Sequence, residues 1–436
     1  MFGLPLKYNI RHLFVRRVGT LMTALGIALP TGVFCAVEAL NNGLTAALMD
    51  TGSENTIVFI RKSSRTETNS SVQRSEAPII EALDGIEKDK DGKAIVSREV
   101  MVLLNLPRVN NNGNSNVAIR GMSPAGRELR AHVQLRDGSW PREGMTEVAV
   151  AKSISDRFEN CKIGDSLPLG KRNWKVVGIF DAGTTAYNSE IWGDAETIAG
   201  AFLRDAWSAV WVRARSGELK TAKDYYDSGA IPKDLGLSAQ ADSKTPKITS
   251  VLNSIGMEEV SKTSEAGLSL LLAPKRDPQL KSVDAVTERD YFRKQTELGS
   301  PIAAIGQFIA VFMAVGAAFA VMNTMYAAVA SRSREIAVLR AIGFKRRAIL
   351  VSFMIESVLL SILGGALGAI ISFAVNGVST GTTNFATFSE LTFAFQVTPR
   401  VILDGFLFGA VLGVLGGLLP AIQASRATIT QAMRAI

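Results

Sequence analysis

Apolar and polar positions divide this chain into four long hydrophobic runs, with one long polar stretch between the first and the second. From Val18 to Val37, 20 residues pass without an acid or a base, and from Ile302 to Ser331 another 30 do so. Two further runs follow, from Ile349 to about Val375 with Glu356 inside it, and from about Val401 to Ser425 with Asp404 near one end. About 20 apolar residues suffice for a helix to cross a bilayer, so each run predicts a transmembrane helix. The first run is longer than a signal-peptide core and lacks a small-residue cleavage site, so it reads as an uncleaved span. Pro30, between Gly26 and Gly32, is expected to bend it.

The polar stretch has a different rhythm. Leu40, Leu44 and Leu48 extend the first helix as a stalk over Glu38–Asp50, and Val286–Leu298 reads as a second, charged stalk helix redirected by Gly299-Ser300-Pro301. Between them, strand patterns at Asn55–Arg61, Glu99–Leu106, Val117–Gly121, Glu147–Val150 and Trp174–Phe180 alternate with helical ones such as Ala195–Leu203. The fold class expected is therefore an α-helical membrane protein with four transmembrane helices and a large extracytoplasmic α+β domain inserted between helices 1 and 2. The boundaries are 1–17 for a basic amphipathic helix or plain basic flank, 18–40 for the first span and 41–300 for the inserted domain. They continue with 301–331 for the second span, 332–348 for a cytoplasmic segment, 349–376 for the third, 377–400 for an outer loop, 401–425 for the fourth and 426–436 for a tail. Within the domain, 230–272 suggests an added lobe or loop of no assignable fold.

Charge orients these elements. Between Asn41 and Ser300 lie 35 of the 40 acidic and 35 of the 48 basic residues, so the inserted domain is neutral and the excess of +8 belongs to the rest. That excess is concentrated in the first residues, the tail, and Arg332, Arg334, Arg340, Lys345, Arg346 and Arg347 between the second and third spans. Lys and Arg collect in short cytoplasmic loops, which places both termini and residues 332–348 inside and the neutral domain outside. A neutral domain also argues against nucleic acid as a partner. The two cysteines, Cys35 in an apolar run and Cys161 in the polar domain, are not expected to pair, and two His with two Cys offer no metal-ligand spacing.

No catalytic constellation emerges, so no catalytic, cofactor-binding or metal-binding residue is expected. The nearest approach to a phosphate-binding G-x-x-x-x-G-K-[ST] is Gly164 to Gly170-Lys171-Arg172, which has five intervening residues and Arg in place of the hydroxyl. It reads as a turn before Trp174. The candidate working element is instead Ser331–Arg347. There Ser331 or Ser333 caps a short helix, Ile336, Leu339 and Ile342 line one face, and Gly343 ends it. An apolar face and a glycine stop are superfluous in a loop that only sets orientation, so the segment is expected to dock into a partner. Its candidate residues are Arg332, Arg334, Glu335, Ile336, Leu339, Arg340, Ile342 and Gly343. Gly364 and Gly368, and then Gly409, Gly413 and Gly417, recur at four-residue spacing, as in helices packed closely in lipid or simply as glycine common in membrane helices. Ala310, Ala314 and Ala318 suggest a seam with a second copy or packing within one chain. A lone carboxylate in a membrane helix is costly, so Glu356 is expected either to serve a function or, as the preferred reading, to pair locally with Arg340 or Arg346.

The run Ser331 to Gly343, with the basic patch after it, Phe353-Met354-Ile355-Glu356-Ser357 and Gly364-Gly365, resembles the membrane block of FtsX/MacB-type ABC transporter permeases. Ile119-Arg120-Gly121, Arg136-Asp137-Gly138, Glu147–Val150 and Lys175–Phe180 resemble the extracytoplasmic core of that family. The resemblance implies a non-enzymatic permease subunit of the MacB or LolC type in a bacterial inner membrane. ATP and Mg would be bound by a separate ABC ATPase subunit, and ATP-driven closure would pass through the helices to the outer domain. It further implies a second permease copy, an adaptor or carrier protein on the outer side, and a hydrophobic, peptide or lipid-like cargo. An FtsX-like regulatory scaffold acting on an extracytoplasmic partner is the alternative. The topology has a direct check: in intact spheroplasts a cysteine placed at Ser333 is expected to escape a membrane-impermeant thiol reagent that reaches an exposed cysteine in 41–300. Labelling at Ser333 would overturn it.

Overall fold

The computed structural model describes residues 17–109, 113–230, 262–298 and 300–426. The helix expected before Arg17, the tail beyond Arg426 and most of 230–272 lie outside these. In chain order the helices that matter here are α1 (Arg17–Met49), α2 (Glu288–Leu298), α3 (Ser300–Ser331), α4 (Ser333–Ala341), α5 (Arg346–Phe373) and α6 (Pro399–Arg426). Among the described residues α1, α3, α5 and α6 are long and apolar enough to cross a membrane. The chain forms two compact units, one of the residues to Gly43 with Ser300–Val378 and those from Ala394, the other of Leu44–Gly299 with Ser379–Phe393.

In the first unit small residues let helices touch. A methyl group on Gly364 would stand 2.7 Å from Ile27 Cβ and 2.8 Å from Ala24 O, and one on Gly368 would stand 2.7 Å from Ala28 O, so both glycines of α5 face α1. Gly409, Gly413 and Gly417 of α6 face α5 instead, against Ser361, Gly365 and Ser357. Ser357 Oγ also donates to Gly413 O at 2.7 Å, a polar tie where no water competes. Half of the span in α5 is buried against 17% of that in α3, which makes α5 the central helix and α3 the peripheral one. Ala310 of α3 is turned into its own chain, while Phe308, Phe312, Val315 and Phe319 are exposed.

The second unit is built on a ten-stranded mixed sheet. Its strands are β1 (Thr56–Arg61), β2 (Val96–Pro107), β3 (Asn114–Met122), β4 (Gln134–Gly138), β5 (Glu147–Ala151), β6 (Ser166–Leu169), β7 (Arg172–Asp181), β8 (Glu190–Asp194), β9 (Ala209–Arg213) and β10 (Val283–Thr287). Their order is β10-β1-β9-β2-β3-β8-β5-β7-β4, with β6 paired to β7; β3 with β8 and β5 with β7 are parallel. The near-match to a phosphate loop is the β6–β7 hairpin, in which Leu169 pairs with Arg172 and Gly170 takes φ +60° at the turn. Of the stretch without an assignable fold, Lys262–Thr263 pairs with Lys220–Thr221, and Ser264 caps the helix Glu265–Arg276. A further two-stranded sheet, β11 (Ser379–Thr383) and β12 (Glu390–Ala394), occupies what sequence pattern leaves as a loop. Cys35 and Cys161 are free and buried, and burial pushes the Cys161 thiol up to about 12.

Charges, unusually, occupy the centre of this unit. Arg120 on β3 donates two bonds to Glu67, at 2.8 and 3.0 Å, two to Glu190, both at 2.8 Å, and one to Glu99 at 2.6 Å. Arg130 grips Glu99 from the other side at 2.6 and 2.9 Å. Trp211 and Trp192 Nε1 complete the shell of Glu67 and Glu190 at 2.9 and 2.7 Å. Burial raises the Glu99 carboxyl, but Arg130 and Arg120 outweigh it and hold the group below its usual range. A carboxyl depressed in the folded state contributes stability that is present above its unfolded value and lost as pH falls through the folded one. The sheet is therefore expected to keep its stability down to about pH 4 and to lose it in stronger acid. Arg120→Ala takes the counter-charge from buried Glu67 and Glu190, while Glu99 keeps Arg130, and is expected to cost about 3–5 kcal/mol in denaturant unfolding followed by tryptophan emission. A loss under about 1 kcal/mol would show that the cluster is not integral to the core.

Candidate functional site

The segment singled out between the second and third spans folds as α4, nine residues with Arg332 at its N-cap position. Neither candidate serine caps it. Ser331 Oγ turns back to Ala328 O at 2.9 Å, because α3 continues through Ser331. The helix ends as its glycine suggests. Gly343 takes φ +108°, its N–H reaches Arg340 O at 3.2 Å, and Phe344 N–H reaches Leu339 O at 3.1 Å, the paired bonds of a Schellman stop. A side chain at position 343 would be strained in that conformation.

The expected apolar face is divided. Ile336 is 2% exposed and belongs to the core of its own unit with Ile349, Phe353 and Ala421, so it is not available to a partner. Leu339 and Arg340 are half-buried, Arg334 and Glu335 are exposed, and Ile342 is 71% exposed. Val338, 56% exposed and absent from the sequence candidates, joins Ile342 on the open side. The reason is helical spacing: 336 and 339 follow each other around one face of α4, whereas 338 and 342, four apart, share the other.

Arg332 likewise serves the fold. It is buried, with Nη1 donating to Glu356 Oε2 at 2.7 Å and Nη2 to Oε1 at 2.8 Å, and its guanidinium lies 6.0 Å from the centre of the Phe353 ring. Glu356 thus pairs with neither Arg340 nor Arg346. Arg346 opens α5 itself, about 15 Å along the axis from Glu356 at 1.5 Å per residue, and Arg340 stands at the far end of α4. Arg332, at the junction of α3 and α4, is the cation whose backbone position faces that turn of α5. Among the described residues no group of His, Cys, Asp and Glu could hold a metal ion. Sequence reasoning missed Val338, the Arg332 partnership, and the network around Arg120, although Ile119-Arg120-Gly121 did mark the strand that carries it.

The pair has a defined energetic signature. Removing one member of a buried ion pair leaves the other unpaired, at a cost of about 3–5 kcal/mol, whereas replacing both by apolar groups of similar volume is close to neutral. Glu356→Leu is therefore expected to lower the unfolding free energy in detergent by that amount, and Arg332→Met with Glu356→Leu to recover most of it. A double variant as unstable as the single one would show that Arg332 is not the partner that neutralises Glu356.

Comparison with known proteins addresses both units. The family model for the FtsX-like permease C-terminal domain matches residues 307–429, and that for the MacB-like periplasmic core domain matches 20–224. A macrolide export ATP-binding/permease protein MacB of Shewanella sp. (strain ANA-3) is 23% identical over 97% of this chain and 59% of its own length. This chain thus spans about three-fifths of that relative. An uncharacterized ABC transporter permease, YvrN, of Bacillus subtilis is 34% identical over 26% of each chain. The periplasmic region of MacB from Actinobacillus actinomycetemcomitans aligns with 50% of this chain and 93% of its own at 13% identity, with a TM-score of 0.31. The chain thus joins a region that matches the MacB-like periplasmic core domain to one that matches the FtsX-like permease C-terminal domain, the make-up of a MacB-like permease, with four helices among the described residues long and apolar enough to cross a membrane.

Proposed function

We propose that this chain is the membrane subunit of a transporter in which a separate ABC ATPase, holding ATP and Mg, docks on α4 and drives the periplasmic domain. The observation that carries the reading is the construction of α4. It is fixed to its own unit by Ile336 and by the Arg332–Glu356 pair, stopped by Gly343, and left with Val338 and Ile342 in the open. A helix held on one side, with two exposed aliphatic side chains four residues apart on the other, suits an apolar groove in a partner. The six basic residues around it fit the cytoplasmic side, with both termini there as well. The relative from Shewanella is named for both ATP binding and permease activity, and this chain corresponds to about three-fifths of it.

Movement would pass along α1, one uninterrupted helix from Arg17 to Met49, and back through α2. The segments that follow α1 and begin α2 are fastened to each other within the second unit. Ser53 N–H donates to Glu288 Oε2 at 3.1 Å, Arg289 pairs with Glu54 at 2.5 Å, and Tyr187 Oη donates to Glu288 Oε1 at 2.5 Å. Pairing with a second permease copy, an adaptor or carrier outside, and a hydrophobic, peptide or lipid-like cargo complete the proposal.

Ile342→Asp tests it. A carboxylate forced into an apolar groove disfavours docking strongly, so co-purification of the ATPase is expected to fall by about tenfold or more, the equivalent of about 1.4 kcal/mol. Membrane insertion stays normal, since Lys345, Arg346 and Arg347 are retained and residue 342 is exposed. Arg400→Asp, at a side chain 89% exposed on α6, serves as the control and leaves co-purification unchanged. Normal ATPase recovery with correctly inserted Ile342→Asp protein would remove docking and return α4 to an orientation signal.

A further inference from the structure

The hairpin β11–β12 joins α5 to α6, yet its side chains are spent on the periplasmic domain. Glu390, its side chain fully buried, accepts from Arg157 Nη2 at 2.5 Å, from Arg108 Nη2 at 2.6 Å and from Ser115 Oγ at 2.6 Å. Three charged or hydroxyl donors on one buried carboxylate make short, strong bonds of fixed direction, unlike a surface pair that breaks and reforms in water. Around this point Thr392 N–H donates to Ser189 Oγ at 2.7 Å, Arg157 Nη1 to Thr392 Oγ1 at 3.0 Å, and Asn116 Nδ2 to Phe388 O at 3.2 Å. Asn384 Nδ2 donates to Gln295 Oε1 of α2 at 3.0 Å in a buried contact. The hairpin is thus fastened to the β2–β3 turn, to the helix after β5, to the approach to β8 and to the second stalk. A loop that served only to connect two helices would need none of these bonds.

The ends of α5 and α6 are hydrogen-bonded to each other within the first unit. Beyond Phe373 the chain continues through hydrogen-bonded turns, Val375 N to Ser372 O at 3.2 Å and Asn376 N to Phe373 O at 3.1 Å. The hairpin ladder then begins with Gly377 N to Phe395 O at 2.9 Å and Phe395 N to Val378 O at 3.1 Å, and Asn376 Oδ1 accepts from Val397 N at 2.8 Å.

We propose that the β11–β12 hairpin is a third strut of the transmission path, beside the stalks α1 and α2, and that Glu390 is the positioning residue that locks it to the periplasmic domain. The proposal rests on the transmission reading above and adds α5 and α6 to the elements that move the domain directly.

The test uses the full chain with its ATPase in nanodiscs and spin labels on cysteines replacing Phe385 of the hairpin and Leu203 of the domain, 49% and 77% exposed. Both native cysteines are buried and stay unlabelled. In the parent protein the distance between the labels is expected to be the same, within about 2 Å, in nucleotide-free and ATP-trapped complexes. In Glu390→Gln the distribution broadens, and ATPase turnover coupled to the permease falls by about fivefold or more, while ATPase co-purification is unchanged. That split separates a transmission defect from mere loss of fold or of docking. If Glu390→Gln does not accumulate, Arg108→Gln with Asn116→Ala, which removes two fastenings from the hairpin's rim, is expected to give the same split. A parent distance that shifts with nucleotide, or a variant with a narrow distance and full coupled turnover, would overturn the strut and leave the docking of α4 intact. Absence of bound ATPase from the parent protein would overturn the transmission reading and the strut with it.

Discussion

A charge placed in apolar surroundings must meet its counter-charge inside the protein, and much of this structure follows from where that is done. Glu356 lies in the central membrane helix, and Arg332 closes on it with both guanidinium nitrogens. Because Arg332 is also the residue at which α3 gives way to α4, neutralising Glu356 fixes where α4 starts and which way it turns. Ile336, one turn further, then falls into the core, and Val338 and Ile342 fall outside it. The face α4 offers is a consequence of the pair.

The second unit solves the same problem on a larger scale. Arg120 and Arg130 hold Glu67, Glu99 and Glu190 where a sheet of this size would ordinarily bury aliphatic side chains. Such clusters add little net stability over a well-packed apolar core, but they tolerate few alternative arrangements, since any slip leaves a buried charge unpaired. Here they join the turn after β1, strands β2, β3 and β8, and, through Tyr291 Oη at 3.2 Å from Glu67 N, helix α2. Glu390 repeats the device for the hairpin. Bonds that lose much of their strength on small displacements hold the parts of this unit in one arrangement.

Sequence by itself determined the class of protein, since bilayer thickness, the exclusion of charge from lipid and the bias of Lys and Arg are properties of composition along a line. The four spans, the strands at Asn55–Arg61 and Trp174–Phe180 and the helix stop at Gly343 were legible because each depends on local spacing or local backbone preference. Which glycine meets which helix was not: Gly364 and Gly368 face α1, whereas Gly409, Gly413 and Gly417 face α5. Glu356 could be seen to need a cation, but the sequence pointed to Arg340 or Arg346, and only the turn between α3 and α4 placed Arg332 against it instead. The cluster at Arg120 gathers residues from positions 67 to 190, and Glu390 meets arginines 233 and 282 residues away. Tertiary structure alone decided these, because an ion pair depends on distance in space, and only the folded sheet brings such remote positions within reach of a hydrogen bond.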